Sequence, residues 1–329
     1  MNESVINSEK KSIFQKVDLK NPNIILLFAG IILVVVLALI VPKFLTPRNI
    51  SNIFVTASST GLMAIGLTFV MITSGIDLSC PTVMALSAIL GAQTMVTTGN
   101  VFIGIVVIIS IGVLFGVING ISVAKIKMVP MIVTLAVSTI ASGIANWYTG
   151  ARSITGMPDT YPTIFTFKIA GVVPVQAVIF IGVTFIMHII LKRTKFGRSV
   201  YMVGVNEKAA KVNGIKTEKV IFGVYVIAGL MYALSGVLSG ARSNAAGPSL
   251  GTQDNFMDIV CAVVLGGTSV SGGKGSVIGT FIGCIFMTVI TNVMNLMNIE
   301  YFITYVIKGI IIVLITYFDV IRNKNIGKR

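Results

Sequence analysis

Apolar runs of membrane-crossing length, separated by short polar or glycine- and proline-marked connections, dominate the chain. Residues 24–41 form an unbroken apolar run of 18. That is longer than the apolar core of a secretory leader, about 7–15 residues. The residues after it, Pro42-Lys43-Phe44-Leu45, hold no small-residue cleavage site, so the run is expected to be a retained first span. At about 20 residues per membrane helix, ten spans are predicted: 24–41, 51–72, 80–98, 101–124, 129–149, 174–191, 220–240, 255–271, 276–296 and 302–319. The third and eighth are short and rich in small residues. They also fit re-entrant or broken helices, tolerated at membrane depth only where protein or water satisfies the backbone, and the count is then eight. Lys308, inside the tenth, is expected to face the bundle rather than lipid.

Composition sharpens this into a class. Of 329 residues, 55% are hydrophobic and only 11% charged, against about 25% charged in a soluble domain. A water-soluble enzyme is excluded, and no stretch is left for a separate aqueous domain. The expected fold is all-α, a polytopic integral membrane protein of about ten transmembrane helices. One transmembrane unit, 24–319, lies between a tail at 1–23 and a tail at 320–329. The net charge of +14 reflects topology rather than nucleic-acid binding. With both termini cytoplasmic, 19 of the 25 Lys and Arg residues fall inside and five outside, with Lys308 in a span, as the positive-inside rule requires. The loop 192–219 is then cytoplasmic with eight basic residues, and 150–173 is external. Cys80, Cys261 and Cys284 lie in or beside apolar segments and read as packing residues.

Candidate chemistry is sparse. The run from Gly266 to Ser276 resembles a phosphate loop only on the surface. Aligned on Lys274, Thr268 stands where the first glycine belongs and Gly275 where the hydroxyl belongs. It reads as a tight glycine turn, and the chain is expected to bind no ATP and no other cofactor or metal. His188 is the only histidine, and it reads as an interfacial residue rather than a proton relay. Asp77 and Ser79 precede Pro81 at a span's start, a good helix N-terminus, with substrate contact as the other reading. Asn119 and Asn292 sit among small residues within spans and are read as interhelical hydrogen-bonding groups or as sugar contacts. Carboxylates fall at or near span ends, which disfavours an ion-coupled carrier. The segments 75–79 and 267–271 echo one another weakly, as duplicated transporter halves do.

The loop 192–219 says more. Asn206 can cap a short helix opened by Glu207, with Gly214 ending it. Two turns are unstable alone, so the helix must dock on something, unless the loop simply lies on anionic headgroups. The run Lys208-Ala209-Ala210-Lys211-Val212-Asn213-Gly214 is similar to the E-A-A-x-x-x-G coupling motif of permease subunits of bacterial ATP-binding-cassette importers. Gly75–Ser79, Phe196-Gly197-Arg198, Asn206–Ile215, Gly247–Gly251, Asp258–Gly267 and Gly272–Gly275 resemble the ribose/galactose/xylose branch, in order, over residues 50–320. Phe256 stands where that branch commonly has Glu, and Cys80-Pro81 replaces a small pair. The resemblance implies a permease dimer, with the second copy the same or a related chain. It implies ATPase subunits docked on Arg198, Asn206, Glu207, Ala209, Ala210 and Gly214, and an extracytoplasmic sugar-binding protein. It further implies a bacterial inner-membrane location and a monosaccharide cargo, ribose first, with no catalysis by the chain itself. Asp77, Ser79, Asn119 and Asn292 are the candidate pathway residues. Autoinducer, nucleoside or branched-chain amino acid cargo is the alternative within the superfamily. A stand-alone secondary carrier and a lipid-modifying membrane enzyme are the alternatives outside it.

Overall fold

Helix boundaries in the computed structural model fall where the sequence places its punctuation. The structure describes residues 22–300, 302–310, 313 and 317. The expected tails 1–23 and 320–329 lie outside these, apart from residues 22 and 23, as does most of the second half of the tenth span. Thr46 and Asn100 accept amides at the starts of α2 (Pro47–Ile72) and α4 (Val101–Ala124). Prolines occupy the first turns of α2, α3 (Cys80–Thr98) and α5 (Pro130–Thr149), where a missing amide costs nothing. Gly99 and Gly150 end α3 and α5 in left-handed conformation. α1 runs Pro22–Ile40. After α5 come the short α6 (Thr160–Thr166) and a two-stranded hairpin, β1 (Lys168–Ile169) antiparallel to β2 (Val173–Pro174). The chain continues through α7 (Val175–Arg193), α8 (Lys195–Val205), α9 (Glu207–Val212), α10 (Thr217–Ser243), α11 (Gln253–Leu265) and α12 (Val277–Leu296).

Among the described residues, seven helices are long and apolar enough to cross a membrane: α2, α3, α4, α5, α7, α10 and α12. α3 matches the predicted span 80–98 at both ends as a continuous helix of 19 residues, so its broken or re-entrant alternative falls away. The predicted eighth span, 255–271, takes the broken form: its helix, α11, has only 13 residues, about 20 Å of rise against a ~30 Å core, although the chain passes from the end of the bundle at Ala246 to the end at Ser271. The helix stops because the Gly266 backbone presses on Gly279 and Thr280 and Gly267 turns with φ of 84°. Lys308 faces the bundle: its Nζ lies 2.8 and 2.9 Å from the two carboxylate oxygens of Asp258 on α11. Residues 302–310 are thereby tied to the interior.

α10 is the central element, packed most extensively on α4 and α2. The α4 contact is backbone on backbone. Gly112, Gly116 and Gly120 recur every four residues along one face of α4 and meet Gly229, Ala233, Tyr225 and Phe222 of α10. Small residues at this spacing let helices approach closely where lipid supplies no hydrophobic drive. Large residues point outward instead: Leu135, Ile140 and Trp147 of α5 and Phe185 and Ile186 of α7 are exposed. That pattern suits lipid and not water.

Candidate functional site

Polar side chains inside an apolar bundle need partners, and here they converge on the 75–79 turn. Asp77 is 1% exposed. Its Oδ1 accepts the Ser79 amide at 2.9 Å and the Ser79 hydroxyl at 2.5 Å, and its Oδ2 accepts the Tyr232 phenol of α10 at 3.1 Å. Asn119 of α4 donates Nδ2 to Ser79 Oγ at 3.0 Å. Thr134 of α5 accepts the Leu78 amide and donates to Ile76 O, both at 3.1 Å. Asp77, Ser79 and Asn119 are thus one cluster binding three helices. Ser79 does not cap α3, because its hydroxyl donates to Asp77 and accepts from Asn119; Asp77 Oδ1 meets the Ser79 amide just before the helix. Among the described residues, the Asn119 Oδ1 and the Tyr225 phenol are buried with no hydrogen-bond partner.

Asn292 does not join this cluster. It exchanges two hydrogen bonds with Asn49, 2.9 and 2.8 Å, at the opposite end of the bundle, and so ties α12 to the start of α2.

The segment after α7 forms a second site. Two helices occupy it, not the single short one expected. Thr194 accepts the Gly197 amide and starts α8. Asn206 Oδ1 accepts the Ala209 amide at 3.0 Å and starts α9. Gly214 ends α9 with φ of 78°, while Ile215 N–H returns to Ala210 O. Glu207 pairs with Lys127 at 2.9 Å and accepts the Thr217 hydroxyl at 3.2 Å. Ala210 faces inward, whereas Ala209 and Arg198 are exposed, with Arg198 only 3.5 Å from Arg193 O.

Close approach fastens this pair to the bundle. The Gly204 backbone lies on Ile72 O and Gly273 N. Ser74 Oγ donates to Gly204 O at 3.2 Å and Ser271 O at 3.1 Å. Tyr201 donates its phenol to Gly275 O at 2.8 Å, and burial pushes that phenol up from its ordinary range, so it remains a donor at neutral pH. The glycine-rich turn is tied down as well: the Gly272 and Gly273 amides go to Ser269 O and Ile72 O, not outward as a phosphate cradle needs. Sequence reasoning missed Tyr232, Tyr201 and Gly204, which look like ordinary span or loop residues until their partners are placed. On the outer surface of the pair, Met202, Val205 and Val212 are exposed, the last at 88%. A groove of about 290 Å³ runs between α8 and α9.

Nothing in either site resembles a catalytic constellation, and among the described residues no group of three His, Cys, Asp or Glu is placed to hold a metal. The arrangement is mechanical: a buried polar knot inside and a clamped helix pair at one end.

Residues 49–316 match the family described as "Branched-chain amino acid transport system / permease component". The ribose import permease protein RbsC of Bacillus subtilis is 37% identical over 298 residues, 89% of this chain and 91% of that protein. The Haemophilus influenzae protein of the same name is 36% identical over 88% of this chain and 91% of its own. The galactose/methyl galactoside import permease protein MglC of Escherichia coli is 32% identical over 88% and 92%. No solved structure matches the chain. The chain therefore belongs to the branched-chain amino acid transport system permease family, as a multi-pass transport component and not an enzyme.

Proposed function

We propose that this chain is the membrane permease of an ATP-driven importer for ribose or a closely related monosaccharide. The observation that carries the reading is the α8–α9 pair. It is capped at both ends, fixed to α2 and to the 266–276 turn, and leaves apolar Met202, Val205 and Val212 exposed beside charged residues. An element that is rigidly held and unsatisfied on its outer face is suited to receive a partner. The partner in this reading is an ATPase subunit contacting Arg198, Asn206, Glu207, Ala209, Ala210 and Gly214. Two permease chains, the same or related, enclose the pathway in a bacterial inner membrane. About ten spans leave both termini and 192–219 cytoplasmic, and an external sugar-binding protein delivers cargo near 150–173. Ribose comes first because relatives named for ribose import match over nine-tenths of their length.

The deciding experiment reconstitutes the chain with the ATPase and binding protein encoded beside it. Uptake of ribose, galactose and leucine is measured with and without ATP. Ribose uptake that requires both ATP and the ATPase is expected. Uptake by the chain alone would make it a secondary carrier, and preference for leucine would move the cargo to the amino acids.

A further inference from the structure

We propose that the permease carries its own polyol-binding site in a cavity between the ends of α2 and α10 farthest from α8 and α9. The assignment rests on the importer reading above. The cavity holds about 330 Å³, at the small end of ligand sites, which run ~300–1,000 Å³. Three α2 hydroxyls line it, Thr56, Ser59 and Thr60, at spacings that put them on one helical face. Facing them from α10 are Ser239, Ser243 and Arg242. The floor is Met63 and Met84, with Leu250 as one wall.

Hydroxyls within helices ordinarily bond back to the carbonyl one turn earlier. Thr56, Ser58 and Thr68 of α2 do this, to Asn52 O, Phe54 O and Ala64 O at 2.9, 2.6 and 2.7 Å. Thr60 and Ser239 do not: among the described residues neither hydroxyl has a partner, and Arg242 has neither an ion pair nor a hydrogen bond. These groups are half-buried or exposed and open into the cavity. A guanidinium beside a hydroxyl stripe is costly against lipid. It suits a solute that offers hydroxyls on its rim and carbon–hydrogen faces to the thioether floor. Arg supplies a planar fork of donors and no acceptor, matching adjacent sugar oxygens. α2 and α10 are also the helices whose other ends meet the clamp and the 217 junction.

Two measurements test this in the reconstituted importer. In the first, Thr60→Val, which keeps shape and loses the hydroxyl, should raise the KM for ribose uptake about 3- to 10-fold, the worth of one hydrogen bond. Thr60→Ser should restore it at equal membrane abundance. In the second, Ser239→Cys is treated from outside with a small impermeant thiol reagent; Cys80, Cys261 and Cys284 are buried and give little background. Ribose should slow labelling at least threefold, while leucine should not, and neither should slow labelling of Thr98→Cys at the same end. Ribose-independent labelling of Ser239→Cys, no labelling at all, or a Thr60→Val importer with wild-type KM would overturn the site. Failure of the importer reading shows separately, as absence of ATP-driven uptake by the unsubstituted chain.

Discussion

At Gly214 the chain turns with φ of 78°, and a Cβ there would meet open space. The constraint is therefore conformational, not steric. A left-handed residue with a side chain costs roughly 1 kcal/mol, so Gly214→Ala should loosen the end of α9 without disturbing the bundle. Gly214→Arg adds bulk and charge on the face assigned to the ATPase, where an unpaired buried charge costs several kcal/mol. The expected outcome is normal abundance with ATP-driven uptake and ATPase co-purification both lost. Retention of the ATPase by Gly214→Arg, with normal uptake, would reduce the pair to a basic patch on lipid. Neighbouring Asn206 behaves as its sequence position announces, because a cap is a local property read from four residues. The Asp77 cluster is not local in that sense. Its members come from the 75–79 turn and from α4, α5 and α10, and no spacing rule predicts that Ser79 turns to Asp77 instead of capping α3.

Helices as elements were legible where they are long and uniformly apolar. The predicted limits of 101–124 and 276–296 fall within a residue of α4 and α12. The misreadings come from chain that folds on tertiary partners. α11 is shorter than the apolar stretch 255–271 because Gly266 packs on α12 and the helix ends before the crossing does. α8 reads as loop because its apolar residues have no partner until α2 and the glycine turn arrive. The Lys308–Asp258 pair makes the element scale testable. Removing either partner leaves a charge in the bundle at a cost of about 3–5 kcal/mol. Asp258→Ala or Lys308→Ala should therefore lower membrane abundance sharply. The exchange Asp258→Lys with Lys308→Asp should recover part of it, measured by quantitative immunoblot and thermal aggregation in detergent. Equal losses in the exchanged and single variants would mean that the pair is incidental to docking residues 302–310.

For the whole molecule, the connections sort into two ends. Lys127 meets Glu207, and Ser74 meets Gly204 and Ser271, at one end; Ile154 bridges Ala246 at the other. Basic residues crowd the first end, which the proposed topology places in the cytoplasm. A thiol introduced at Lys208 should then resist an impermeant reagent in intact cells, and one at Lys168 should react; the reverse result would invert the topology. Between the two ends runs α2, 26 residues and about 39 Å long. Phe180 grips it at Gly61 and Tyr232 at Gly66, and no proline interrupts it beyond its first turn. Such a beam cannot report which of its ends was pushed. By reciprocity, whatever the docking face does to cargo, cargo must do to the docking face with equal strength. In the proposed importer, a cargo that binds more tightly once the ATPase is docked must tighten the docking of the ATPase by the same factor.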